Sequence, residues 1–340
     1  MLSKKYVLEQ WARSDARRYN CPQPEPPLVG SSVRSLDYVL EFAALRSWRC
    51  YQRVSIYSKR SLGGKPIAIP IRSGLGRSNL SLASAELVNA IHIATSIGAR
   101  GTFVDIGANI GQSLLALLST GGDRYIGFEP DLEAAAYVAA LIRRNALAEA
   151  SILPIALGEV QATAVLHTGQ AGWVGATIDT SMSPTEMYSF QQRVVVSTGD
   201  AQLSHLPDDE VLLLKIDVEG HELSVLRGLR QTLERTRAPV FCEVLGYDHF
   251  QDGSYGRDYF GELTSTEIAR LSDARERNGV AVAALFRQLG YELFVLGDNG
   301  LPQEIEKIDL ASPCPGRQGE RNVFAVAREH SSKVRTLCKT

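Results

Sequence analysis

From residue 102 onward, short β-rich runs alternate with segments of helical period, and this alternation limits the fold more than any other feature of the chain. The β-rich runs are TFVDIG (102–107), RYIGFE (124–129), SILPIAL (151–157), EVLLLKIDV (210–218), PVFCEVL (239–245), YELFVLG (291–297) and NVFAVA (322–327). Helical segments lie between them at 110–119, 131–147, 221–233 and around 264–289, and Asp131 is placed to cap the second. The run at 210–218 is almost continuously apolar, as a strand covered on both faces requires. Such alternation predicts an α/β fold: a doubly wound, mostly parallel sheet of seven strands joined by right-handed crossovers.

Composition supports a globular chain. Of its 340 residues, 44% are hydrophobic and 22% charged, so a sizeable core can be buried and global disorder is excluded. A formal net charge of −2 gives no basis for wholesale nucleic-acid binding. The N-terminal residues carry charges where a signal peptide needs an apolar run, and no stretch approaches the roughly 20 apolar residues of a membrane span. The five cysteines (Cys21, Cys50, Cys242, Cys314, Cys338) form no CxxC pair or zinc spacing, and a reducing, cytoplasmic setting is expected. Charge is unevenly spread: residues 1–60 hold eleven Lys or Arg against five Asp or Glu, or +6, leaving −8 for the rest. Residues 1–80 are therefore expected to form a basic, partly helical extension, with CPQPEPP (21–27) as a stiff connector. The main domain follows at 81–330 and a tail at 331–340. The basic lead suits either an anionic or lipid-linked partner or a pair of solvated amphipathic helices.

In a doubly wound sheet, ligands sit at the carboxyl ends of the strands. The first such loop reads Asp105-Ile-Gly107-Ala-Asn109-Ile-Gly111. Gly107 permits a tight turn with bare backbone toward a ligand, and Gly111 permits close packing of the helix on the strand. The pattern departs from GxGxxG, because 109 and 112 are Asn and Gln. An acid at Asp105 would repel a pyrophosphate but suits a cationic ligand such as S-adenosylmethionine. Glu129 ends the next run, where a carboxylate accepts hydrogen bonds from ribose hydroxyls. Ala156 and Leu157, at the end of the third run, complete the cofactor candidates. A nucleotide-free sheet would explain the glycines but not an acid at the end of each of the first two runs.

FVDIGANIGQS (103–113), GFEPDLEAAAYV (127–138) with Asn145, and LLKIDVEGHELSVLRGL (213–229) resemble the FkbM family of S-adenosylmethionine-dependent methyltransferases. The similarity spans about residues 81–327, and the KIDVEGHE block is its most specific piece. It implies a Rossmann-like class I methyltransferase fold with seven strands, the last antiparallel, in which NVFAVA is that strand. It also implies methyl transfer to hydroxyls of sugars, glycolipids or glycosylated natural products.

Within this block Asp217 is expected to point into the cleft, both as a cofactor contact and as a catalytic residue. Glu222 is expected to complement the start of the next helix. His221 is either a general base for the acceptor hydroxyl or a helix-start histidine bonded to a backbone carbonyl. With Glu243 on the neighbouring strand, Asp217 and His221 form a candidate site for a divalent cation such as Mg. Alternatively, Glu243 orients His221 or pairs with Lys215. Two long loops, 169–192 and 246–262, are candidate acceptor loops. The second has five aromatics in 17 residues, and Trp173, Tyr247, His249 and Tyr255 are the substrate-contact candidates. The competing readings are an NAD-dependent dehydrogenase or epimerase, disfavoured by the missing glycines, and a non-catalytic module that keeps the cofactor pocket. Oligomeric state is not legible.

Overall fold

The computed structural model describes residues 56–71, 79, 84–169, 172–184, 188–246, 263–297, 300–310 and 320–337. In chain order these form a ribbon of β1 (Ile56–Leu62) and β2 (Lys65–Ile71), then α1 (Ala85–Ser96), β3 (Thr102–Ile106), α2 (Gln112–Ser119), β4 (Tyr125–Phe128), α3 (Leu132–Arg144) and β5 (Ala150–Leu153). Next come β6 (Ala156–Leu157), β7 (Ala162–Gly169), β8 (Gly172–Thr177), a 3-10 turn (Thr180–Met182), β9 (Tyr188–Ser197) and α4 (Gly199–Leu203). The remainder is β10 (Val211–Ile216), α5 (Glu222–Gly228), α6 (Arg230–Thr236), β11 (Val240–Leu245), α7 (Ser265–Gln288), β12 (Tyr291–Leu296), β13 (Pro302–Ile305), β14 (Glu320–Ala327) and α8 (Arg328–Leu337).

The central sheet has eight strands in the order β13-β12-β14-β11-β10-β3-β4-β5. Strands β11, β10, β3, β4 and β5 are mutually parallel, and β14 runs antiparallel to both β11 and β12. NVFAVA thus runs antiparallel to its neighbours, as expected, and lies between β11 and β12; β13, also antiparallel to β12, runs the same way. The expected count of seven is corrected to eight. The added strand, β13, is a short polar edge strand beginning with Pro302, and it lacks the apolar run by which the others are recognised.

Strand residues alternate between two cores. Phe103, Leu213 and Phe324 face α1, α2, α3 and α8, whereas Val104, Leu214 and Ala325 face α5, α6 and α7. Helix starts are well capped: Asp131 accepts from the amides of Glu133 and Ala134, and Thr264 with Glu267 forms a capping box for α7.

The described part of the segment 1–80 includes a β-ribbon at 56–71, β1 paired with β2. The ribbon is fixed to α3 by Asn145, whose Oδ1 accepts from the Ala68 amide at 2.7 Å and whose Nδ2 donates to the Ala68 carbonyl at 2.9 Å. The stretch around 169–192 is not a structureless loop. It contributes β8, the 3-10 turn and the start of β9 to a second, four-stranded sheet ordered β6-β9-β7-β8. The run 151–157 is likewise split, because its last two residues leave the central sheet to pair with β9. No helix among the described residues is long and apolar enough to cross a membrane.

Candidate functional site

The site grows out of the turn after β3. Gly107 adopts φ +81°, and its amide and that of Ala108 both donate to the Phe128 carbonyl at 3.0 Å. A Cβ at Gly107 would fall 1.7 Å from the Asp217 carbonyl oxygen, so only glycine fits between the two strand ends. Asn109 follows with φ +47°, and its amide donates to Glu129 Oε2 at 2.7 Å. The other carboxylate oxygen of Glu129 accepts from the Asp131 amide at 2.8 Å. Burial lifts the Glu129 pKa to about 7 against these two hydrogen bonds. The Oδ1 atom of Asn109 is buried and has no hydrogen-bond partner among the described residues.

These residues open onto a cleft of about 650 Å³, its mouth included. Of the sequence-predicted residues, Gly107, Asn109, Glu129, Ala156, Leu157, Asp217 and His221 line it. Polar lining comes from Asn109, Asp217, Glu219 and His221; apolar lining comes from the ends of β4 and β6, with Phe128, Pro130, Ile155 and Leu157, and from Leu166 of β7.

Asp105, Gly111 and Glu243 are not among the lining residues. Asp105 belongs to β3, where it pairs in register with Lys215 of β10. It is 0% exposed, accepts from the Tyr125 hydroxyl at 2.6 Å and lies 3.3 Å from Lys215 Nζ. Burial raises its pKa above the usual carboxylate range, against the opposing pull of Lys215 and Tyr125. Asp105 therefore sits beneath the cleft, with its charge met by a lysine. Gly111 faces Val138 and Leu141 of α3 and does not serve helix-on-strand packing. Glu243 sits on β11 opposite Asn322 and adds to the negative field around Lys215.

The expected cation site of Asp217, His221 and Glu243 is corrected on this geometry. No group of three or more potential metal ligands occurs among the described residues. The positive charge between the acids is instead the Lys215 ammonium, 3.0 Å from Asp217 Oδ2. Burial works against that charge, but Asp105 and Asp217 outweigh it and raise the lysine pKa above its usual value.

His221 is the residue preceding α5, and its side chain makes no capping hydrogen bond. Burial lowers its pKa, opposed by Asp179, which favours the neutral imidazole. Glu222 is 1% exposed, accepts from the Gly220 amide at 2.8 Å and from Asn278 of α7 at 3.0 Å, and is lifted by burial to about 7. Its role at the helix start agrees with expectation; its burial was not legible.

Sequence reasoning named 169–192 as an acceptor loop but not the way this stretch roofs the cleft. Leu166 of β7 and residues 175–178, which close β8, line it opposite the strand ends. Thr177 Oγ1 donates to the Glu219 carbonyl at 2.8 Å, tying this roof to the turn after β10. Arg275, 4% exposed, reaches from α7 to the carbonyls of Met182, at 2.8 Å, and Gly246. Helix α7 thus holds both the end of the roof and the end of β11. Trp173 lies in β8, but its side chain is outside those described, and Tyr247, His249 and Tyr255 lie outside the described residues.

The family model for the methyltransferase FkbM domain matches residues 105–301. No curated protein matches the chain. Among solved structures, it is similar to methyltransferase FkbM from Methylobacillus flagellatus KT at 16% identity and TM-score 0.37, covering 72% of this chain and 56% of that one. The chain therefore spans little more than half the length of that relative. It is also similar to a precorrin-6y C5,15-methyltransferase from Geobacter metallireducens GS-15, at 8% identity and TM-score 0.32, covering 72% and 92%. A third is the plantazolicin methyltransferase BpumL in complex with SAH, at 10% identity and TM-score 0.34, covering 71% and 82%. With more than half of its length matched by that domain, the chain belongs to the FkbM methyltransferase family.

Proposed function

We propose that the chain is an S-adenosylmethionine-dependent O-methyltransferase acting on a hydroxyl of a sugar, glycolipid or glycosylated natural product. The observation that carries the cofactor assignment is Glu129. Its carboxylate is held by two backbone amides at the wall of the cleft, and each oxygen keeps lone-pair capacity for a vicinal diol such as ribose. The remaining residues fit the same group. Phe128, Pro130, Ile155 and Leu157 offer apolar surface for a purine. Gly107 exposes bare backbone, and the unpartnered Asn109 Oδ1 can accept from an ammonium or hydroxyl.

When bound, S-adenosylmethionine supplies an electrophilic methyl group on a sulfonium sulfur. The chain's own part is to align an acceptor hydroxyl and remove its proton. His221 is the base in this reading: it lines the cleft, and burial lowers its pKa, which favours the neutral imidazole. The aromatic-rich segment 246–262 is the source of acceptor contacts, as the sequence suggests. The acceptor class rests on the family resemblance.

Calorimetric titration with S-adenosylhomocysteine and, separately, with NAD tests the assignment. Binding of the first alone is expected; binding of NAD alone would return the cleft to the dehydrogenase class. His221→Ala is expected to keep S-adenosylhomocysteine affinity within about twofold while lowering methyl transfer to hydroxylated glycans by about 10²-fold or more. Unchanged transfer would remove it as base.

A further inference from the structure

Lys215 is a charged residue in the middle of the central sheet, in a strand that is otherwise Val, Leu and Ile. It is only 8% exposed, and three protein oxygens surround its ammonium. The Gly107 carbonyl accepts at 2.8 Å, Asp217 Oδ2 lies at 3.0 Å and Asp105 Oδ1 at 3.3 Å. The Gly107 contact is a hydrogen bond, and the two carboxylates complete an ion-pair cluster around the ammonium, in which Asp105 Oδ1 has no hydrogen-bond partner among the described residues. Two of those oxygens belong to residues that line the cleft, and they come from different strands. The third belongs to a carboxylate that the sheet buries completely.

We propose that Lys215 is a positioning residue for the amino-acid end of the cofactor. Its ammonium joins the turn after β3 to the end of β10 and fixes the Gly107 carbonyl and the Asp217 carboxylate as one unit. The inference rests on the cofactor reading above. If Glu129 takes the ribose, the apolar walls toward β4 and β6 take the purine, and the rest of the ligand extends toward Gly107 and Asp217. One lysine serves two acids there, Asp105 and Asp217. Of the two, only Asp217 lines the cleft, where it can face a ligand ammonium. Asp105 enters this arrangement as the buried partner that keeps Lys215 in place.

The role separates from mere structural support by which half of the ligand is lost. S-adenosylhomocysteine carries the amino-acid end, whereas 5′-methylthioadenosine carries the same nucleoside without it. Lys215→Met combined with Asp105→Asn removes the ion pair without stranding a buried acid. Lys215→Arg keeps a cation beside Asp105, but its planar fork cannot hold the same three oxygens. Both ligands are titrated calorimetrically into wild type and both variants, with thermal melts to establish folding.

Each folded variant is expected to lose about ten- to a hundredfold in S-adenosylhomocysteine affinity, the range of charge-assisted hydrogen bonds, and to hold methylthioadenosine within about twofold. Wild-type affinity for S-adenosylhomocysteine in either folded variant overturns the proposal. So does an equal loss of both ligands, which marks a general structural role. The arginine variant retains the buried charge pair and supplies the test if the double variant does not fold. Wild type binding neither ligand overturns the cofactor reading itself and this inference with it.

Discussion

Gly107 and Gly121 adopt nearly the same left-handed backbone, φ +81° and +88°, but their surroundings differ. A Cβ at Gly107 runs into the Asp217 carbonyl, whereas one at Gly121 meets nothing within 4 Å. Gly121→Ala is expected to cost only the backbone strain, about 1 kcal/mol, and Gly107→Ala at least about 3 kcal/mol. Denaturant titration of the two variants checks this, and equal costs would mean the β3 turn can retreat from β10. Glu129 supplies a second residue-scale prediction. Its pKa of about 7 means that hydroxyl donors meet a fully charged acceptor only above neutrality. S-adenosylhomocysteine affinity should rise as pH goes from 6 to 8, and Glu129→Gln should abolish that rise. Glu129 was legible because a strand end fixes its position. The level of Asp105 was not: all five residues of β3 are buried, so in a strand covered on both faces polarity does not reveal depth. Lys215 was read only as a partner for Glu243, for the same reason.

At the scale of elements, the ribbon β1-β2 shows how a single side chain can stand in for a strand partner. Asn145 engages both backbone groups of Ala68, and Arg144 lies over the Tyr57 ring at 4.4 Å. Asn145→Ala is expected to destabilise the docked ribbon by about 2 kcal/mol. Hydrogen exchange should register this as faster exchange at residues 56–71, with the strands of the central sheet unaffected; uniform loss across the domain would refute a local role. Most of the central sheet was readable because doubly covered strands are nearly continuous apolar runs. The second sheet was not. Strand β9 reads YSFQQRVVVS and is exposed along much of its length, and it pairs with β7 across an intervening strand. Nothing local in the sequence announces that pairing.

Across the molecule, two buried carboxylates contribute a defined part of the response to pH. Glu129 and Glu222 both rise from 4.5 to about 7 on folding. A carboxylate raised in the folded state favours folding below its unfolded pKa, and that advantage disappears as pH climbs through the folded value. The ligand-free protein should therefore lose stability between about pH 4.5 and 7, by roughly 3 kcal/mol for Glu222. Glu222→Gln should flatten its share of that slope in melts at successive pH values; a slope unchanged in the variant would remove Glu222 as its source. The roof carries a consequence of a different kind. Ala156 and Leu157 lie directly beside Val196 and Ser197, so the chain leaves and re-enters the frame at neighbouring hydrogen-bonded positions. The residues between them, 158–195, form an excursion with adjacent ends, tied to the frame by Thr177 at Glu219 and by Met182 at Arg275, and its length and lining can be exchanged where those two ties are kept. Selectivity can then drift through chimeras of this one insert, while the half of the cleft built from strand ends keeps its chemistry.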